Sequence, residues 1–130
     1  MIELIGWLNI QFSTDGEHDF ALDKELISQI HDFIEPLNGF NHSYELKCIN
    51  GNNYLYIGIN HNHENGYIDE VKSVFSKISK LAIGSYGLVY LRQPDDKLFF
   101  NEFKVIRLNK GIINVEKDIY LSPCNPKIED

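Results

Sequence analysis

The chain is poor in cysteine, with Cys48 and Cys124 alone among 130 residues. Two are too few for a disulfide framework or a closed cysteine zinc site, so both read as reduced thiols, Cys48 as a small buried strand residue. No basic residue or helix start stands beside Cys124 to stabilise a thiolate, and it reads as structural rather than nucleophilic. No apolar run approaches the roughly 20 residues of a membrane helix, and Met1 to Leu8 lacks the basic and small-residue regions of a secretory signal. A cytoplasmic protein with no membrane partner is expected. Ser/Gly linkers, internal repeats and low-complexity tracts are missing too, so residues 1–130 read as one domain, and 43% hydrophobic with 24% charged residues is ordinary for a globular chain.

Bases are scarce where it matters most. Residues 1–35 carry eight acids (Glu3, Asp15, Glu17, Asp19, Asp23, Glu25, Asp32, Glu35) against the single base Lys24, while residues 36–130 are balanced, so the net charge of -7 comes from the first quarter. Such a field repels phosphate backbones and attracts basic surfaces; nucleic acid is disfavoured as a partner and a cationic protein is favoured. A bland alternative is a solvated face that keeps the protein soluble.

Residues 2–12 place Leu4, Leu8, Ile10 and Phe12 at even spacing, the pattern of a strand. From about Asp19, a plausible cap, the period becomes helical: Leu22, Leu26, Ile27, Ile30, Phe33, Ile34 and Leu37 form the stripe, Asp23, Glu25, Asp32 and Glu35 face outward, and Pro36 marks the end. Tyr44, Leu46 and Cys48, then Asn50-Gly51, then Tyr54 to Asn60 read as a hairpin. A second helix is expected from about Tyr67 through Ala82, with Asp69 and Glu70 at its start and Lys77 and Lys80 near its end, as the helix dipole favours. Three strands follow, Ser85 to Arg92, Leu98 to Leu108 and Ile112 to Tyr120, turned at Gln93-Pro94-Asp95-Asp96 and Asn109-Lys110-Gly111. The order β-α-β-β-α-β-β-β predicts an α+β fold: two helices on one face of a largely antiparallel sheet, with a ferredoxin-like core plus an added hairpin as one arrangement that fits. Pattern alone leaves the strand pairing order open. Pro123 and Pro126 predict an extended tail from Ser122 to Asp130, lying over the body.

Positive signs of catalysis are absent from the sequence: it has no Gly-rich phosphate loop, no serine-histidine-aspartate spacing and no spaced carboxylate pair. His61-Asn62-His63 invites a zinc or nuclease reading, but a zinc site needs three or four ligands, and His18, His31 and His42 have no companion at a recognised ligand spacing. Gly84-Ser85-Tyr86-Gly87 is not a nucleophile elbow, because a strand follows it; the two glycines read as a place where another backbone passes closely. Tyr44, Tyr54, Tyr56, Tyr67, Tyr86, Tyr90 and Tyr120 serve as strand packing or as interface anchors, and Trp7, out of step with Leu4, Leu8 and Ile10, belongs on the sheet's other side, as core or as anchor.

Taken in order, Trp7, Gly58-Ile59-Asn60-His61-Asn62-His63, Gly84-Ser85-Tyr86-Gly87 with the run to Arg92, Asn101-Glu102-Phe103, and the ending Ser122-Pro123-Cys124-Asn125-Pro126 to Glu129-Asp130 resemble the immunity protein 7 family over nearly the whole chain. The resemblance implies a small bacterial protein encoded beside a polymorphic toxin, which it binds and neutralises, with neither catalysis nor cofactor. Joined to the charge split, it suggests a stoichiometric complex with a basic toxin, a nuclease being one such partner, contacted through Glu17, Asp19, Asp23, Glu25, Asp32 and Glu35. Two alternatives stand beside it: a small metal-dependent hydrolase or nuclease using His61 and His63, and a structural domain that oligomerises through an exposed strand edge.

Overall fold

The alternating stretch at the start of the chain becomes the middle of a sheet. In the computed structural model, which describes residues 1–13 and 19–125, the elements run β1 (Ile2–Ile10), α1 (Phe20–Ile34), a 3-10 turn (Glu35–Leu37), β2 (His42–Ile49), β3 (Asn52–His61), α2 (Tyr67–Leu81), β4 (Tyr86–Arg92), β5 (Phe103–Asn109) and β6 (Ile112–Lys117). The six strands form one sheet in the order β2-β3-β1-β4-β5-β6, every neighbouring pair antiparallel. With α1 joining β1 to β2 and α2 joining β3 to β4, strands β1 to β4 and the two helices make two split β-α-β units, the ferredoxin-like arrangement. The β5-β6 hairpin extends it beyond β4.

Period-two alternation decides which side is dry. Ile2, Leu4, Leu8 and Ile10 of β1, Leu55, Ile57 and Ile59 of β3, Val89 and Leu91 of β4 and Ile106 and Leu108 of β5 are buried in one cluster with Ile30 and Ile34 of α1 and Val71, Val74, Phe75 and Ile78 of α2. Both helices therefore cover the same face. Asp19 caps α1 by accepting from the Leu22 amide at 3.2 Å, and Lys77 of α2 lies 5.5 Å from the centre of the Phe33 ring, tying the helices together.

Both tight hairpins follow from their turn residues. Asn50 and Gly51 have φ of 51° and 78°, and Lys110 and Gly111 have 53° and 74°, the left-handed pairs of a two-residue turn. Close approach explains two further glycines. A Cβ on Gly87 would run into the Trp7 carbonyl oxygen and come 2.8 Å from Leu8 Cα, and one on Gly84 would run into the Ser13 carbonyl oxygen. The backbone proximity expected of the Gly84-Ser85-Tyr86-Gly87 run is thus found, and buried Ser85 seals it, its Oγ accepting from the Gln11 amide at 3.1 Å.

Several boundaries differ from the pattern. The α1 stripe is narrower than expected: Leu22 is exposed, while Asp23, expected outward, is half-buried beside Ile10 and Ile27. Cys48 is exposed, because the inward-facing row of β2 runs past the helix cover into an open groove at the hairpin tip. The first strand stops at Ile10, not Phe12. Strand β5 begins at Phe103 rather than Leu98, since the Asp96 carboxylate accepts from the Leu98 and Phe99 amides, each at 2.9 Å, and bends that segment into turns. Strand β6 ends at Lys117 instead of Tyr120: buried Asp118 accepts from the Leu121 amide at 2.6 Å and turns the chain away.

Candidate functional site

With both helices on one side, the opposite sheet face has no cover among the described residues, and its central strands carry aromatic rings. Trp7 on β1 lies between Tyr56 on β3 and Leu88 on β4; Ile5 lies between Gly58 and Tyr90, and Asn9 between Tyr54 and Tyr86. Trp7 is 37% exposed, Tyr56 38%, Tyr86 44% and Ile5 56%, so the face presents large apolar surface to solvent. The Trp7 and Tyr86 rings meet edge to face at 6.3 Å and 84°, and Tyr54 stacks on Tyr56 at 6.1 Å. Buried Asn9 holds this constellation: its Nδ2 donates to the Tyr86 hydroxyl at 3.1 Å, and its Oδ1 accepts from Gln11 Nε2 at 2.7 Å. Gly58 leaves open space beside Ile5, bordering a hollow of about 340 Å³ with fully exposed Phe40 at its rim. Trp7 is thus on the side its phase indicated, packed along one edge and open along the other. Tyr44, by contrast, is core, whereas Tyr120 is 86% exposed.

Of the proposed contact carboxylates, those among the described residues lie on the helix side, whereas Glu3 is on the open sheet face beside Ile5. Asp19, Glu25, Asp32 and Glu35 are exposed on or beside α1, with Asp19 also serving as the cap. His31 sits within 3.6 Å of Asp32 and 3.7 Å of Glu35. Asp23 is half-buried and Glu17 lies outside the described residues. The aromatic face and the acidic helix are therefore two surfaces, back to back.

His61 and His63 have different surroundings. His61 is stacked on Tyr67 at 4.3 Å and on His42 at 5.0 Å, with Nε2 2.8 Å from His42 Nδ1 and Nδ1 3.5 Å from the Tyr67 hydroxyl. Both ring nitrogens are thus engaged, while Asn62 and His63 are exposed beyond the strand end. Among the described residues no group of three His, Cys, Asp or Glu side chains is placed to hold a metal ion. The partnership of His42 with His61 was readable in principle: the Asn50-Gly51 turn sets His42 opposite Ile59, diagonal to His61.

Two of the sequence runs quoted above clasp each other. Asn101 Oδ1 accepts from the Asn125 amide at 2.7 Å, its Nδ2 donates to the Asn125 carbonyl at 3.0 Å, and its own carbonyl accepts from the Cys124 amide at 2.9 Å. Ser122 Oγ accepts from the Phe103 amide at 2.9 Å. The tail is tied to the body as far as Asn125, but it bends at residues 123–125 rather than running extended; Pro126, Glu129 and Asp130 lie outside the described residues. A tie that pattern did not reveal joins β2 to α2: the Tyr44 hydroxyl donates to Glu70 Oε2 at 3.0 Å, and burial, reinforced by that carboxylate, pushes the phenol well above its ordinary range.

No helix among the described residues is long and apolar enough to cross a membrane. No curated protein and no solved structure matches the chain significantly. The family model described as immunity protein 7 matches residues 1–130, from the central strand through the clasped tail, and the chain belongs to that family.

Proposed function

We propose that this protein acts in the cytoplasm, as one domain, by forming a stoichiometric complex with a cognate toxin and blocking it without catalysis. The observation that carries this reading is family membership over residues 1–130, since an immunity protein implies a toxin to be immune to. The acidic surface of α1, with Asp19, Glu25, Asp32 and Glu35 exposed, supports a basic toxin, a nuclease among them: clustered carboxylates speed encounter by steering and occupy sites meant for phosphates. The open aromatic face supports a second docking site for the same partner, since Trp7, Tyr56 and Tyr86 are residue types that anchor interfaces, and Asn9 fixes Tyr86 before any partner arrives.

The test is titration of the toxin domain encoded beside this chain, with toxin activity as the readout. Inhibition should be complete near one equivalent; full activity at tenfold excess refutes the reading. Trp7→Ala then locates the contact. A folded variant whose dissociation is faster by about tenfold or more, as for an interface anchor, places the toxin on the sheet face. An unchanged Trp7→Ala variant leaves α1.

A further inference from the structure

The two free edges of the sheet are built differently. On β2 the backbone groups of Tyr44 that face away from β3 are occupied by Asn38, whose Oδ1 accepts from the Tyr44 amide at 2.6 Å while its Nδ2 donates to the Tyr44 carbonyl at 3.2 Å; the Gly39 amide donates to the His42 carbonyl at 3.0 Å. A side-chain amide there stands in for a neighbouring strand. On β6 the Asp118 amide donates to the Phe103 carbonyl at 2.9 Å, so alternate residues pair with β5 and the backbone groups of Ile113, Val115 and Lys117 point outward. None of these has a partner among the described residues. Register with β5 runs without a bulge from Lys104↔Lys117 to Asn109↔Ile112, there is no proline, and Ile112 and Val115 are 59% and 44% exposed. Among the described residues no bulge, proline or covering side chain blunts this edge, and the only charges on the strand are Glu116 and Lys117. Even the charges are countered within the chain, Glu116 by Arg107 at 2.9 Å and Lys117 by Glu102 at 3.0 Å.

We propose that β6 is a homodimerisation edge, occupied by β6 of a second copy in antiparallel register about Val115. This register places Ile113, Val115 and Lys117 opposite Lys117, Val115 and Ile113 of the other copy, so all six outward pairs of N–H and C=O groups find partners and no outward group is left over. On the helix side, Val115 meets its own mate and the Lys117 stem covers Ile113. On the open side, each Glu116 faces Asn114 of the copy, which donates to it, and Arg107 and Glu116 of the two copies form a neutral set. Electrostatics permits the pairing of two chains of charge -7, because the seam is neutral and five strand spacings, about 24 Å, separate β6 from the β2 edge that α1 flanks, more than twice the screening length at physiological salt.

Sedimentation equilibrium of the full chain across a concentration series reads the proposal. The parent should show a monomer–dimer equilibrium, and Val115→Lys, which sets two ammonium groups opposite each other, should weaken it by about tenfold or more while the circular dichroism and unfolding midpoint stay near the parent's. As a second measurement, Val115→Cys in a Cys48→Ser, Cys124→Ser background should give a covalent dimer on mild oxidation, whereas Ile112→Cys should not, the Cα atoms of a paired position lying in disulfide range. A parent that stays monomeric at high concentration overturns the proposal. So does a dimer that survives Val115→Lys and does not cross-link at 115.

Discussion

At the scale of single residues, the pairing of the two central strands is held by atoms that leave no room for substitution. Gly87 lies against the Trp7 carbonyl and Leu8, so Gly87→Ala should force the two central strands apart and lower stability by about 1–3 kcal/mol, measured by urea denaturation. Tyr44 makes a prediction of opposite character, one of pH. Its phenol is held protonated by burial and by Glu70 in the folded state, so the folded pKa lies above the unfolded value of about 10. The stability that this contributes is whole below pH 10 and is lost as pH rises beyond it, by up to about 1.4 kcal/mol per unit where the unfolded chain has released the proton and the folded chain has not. Tyr44→Phe should flatten that alkaline slope, and unfolding curves between about pH 9 and 11, bracketing the unfolded phenol's ordinary range, compare the two.

At the scale of elements, α1 and the tail carry separate tests. Of the carboxylates proposed as toxin contacts, Asp23 is half-buried and Asp19 is the expected cap, so charge reversal belongs at Glu25, Asp32 and Glu35. The triple change to lysine should leave the unfolding midpoint nearly unaltered, yet slow toxin association by about tenfold or more at low salt and erase much of its salt dependence; stopped-flow rates across a salt series decide it. The tail is held by Asn101, Phe103 and Ser122 through backbone and side-chain hydrogen bonds, so removing residues 122–130 should cost about 1–3 kcal/mol and expose the start of β5. An unchanged midpoint leaves the tail with no structural part. Elements of this kind were legible where one short-range rule acts alone: the Asn50-Gly51 hairpin, the cap at Asp19 and the dipole-matched charges of α2 were all readable from neighbours in sequence. Legibility failed where strand-like alternation outweighed a local aspartate turn, or where cover from elsewhere in the chain decides. Leu98 and Ile119 have strand-like surroundings in sequence, but the Asp96 and Asp118 carboxylates capture nearby amides and end the strands, and Cys48 lies where helix cover runs out. The acidic cluster was visible as composition, the aromatic face only as phase: Trp7 stands one residue out of step with Leu8, and nothing local says that the far side of the sheet is left without a cover among the described residues.

For the molecule as a whole, the order β2-β3-β1-β4-β5-β6 has an outcome in time as well as in space. The stretch made early is the stretch that must be flanked on both sides, and some 75 residues separate the end of β1 at Ile10 from the start of β4 at Tyr86. At translation rates of 5–20 residues per second, a growing chain therefore carries Leu4, Leu8 and Ile10 without their second neighbour for about 4 to 15 s. Nascent chains halted before Tyr86 should remain open to protease across β1, and those extended past Arg92 should become resistant there. Because the rings of Trp7 and Tyr86 meet only when β1 and β4 join, the aromatic surface comes into being at that same late step. If the proposed toxin docks on the aromatic face, a half-made chain gives it no such surface, and protection by that face waits until β4 is complete.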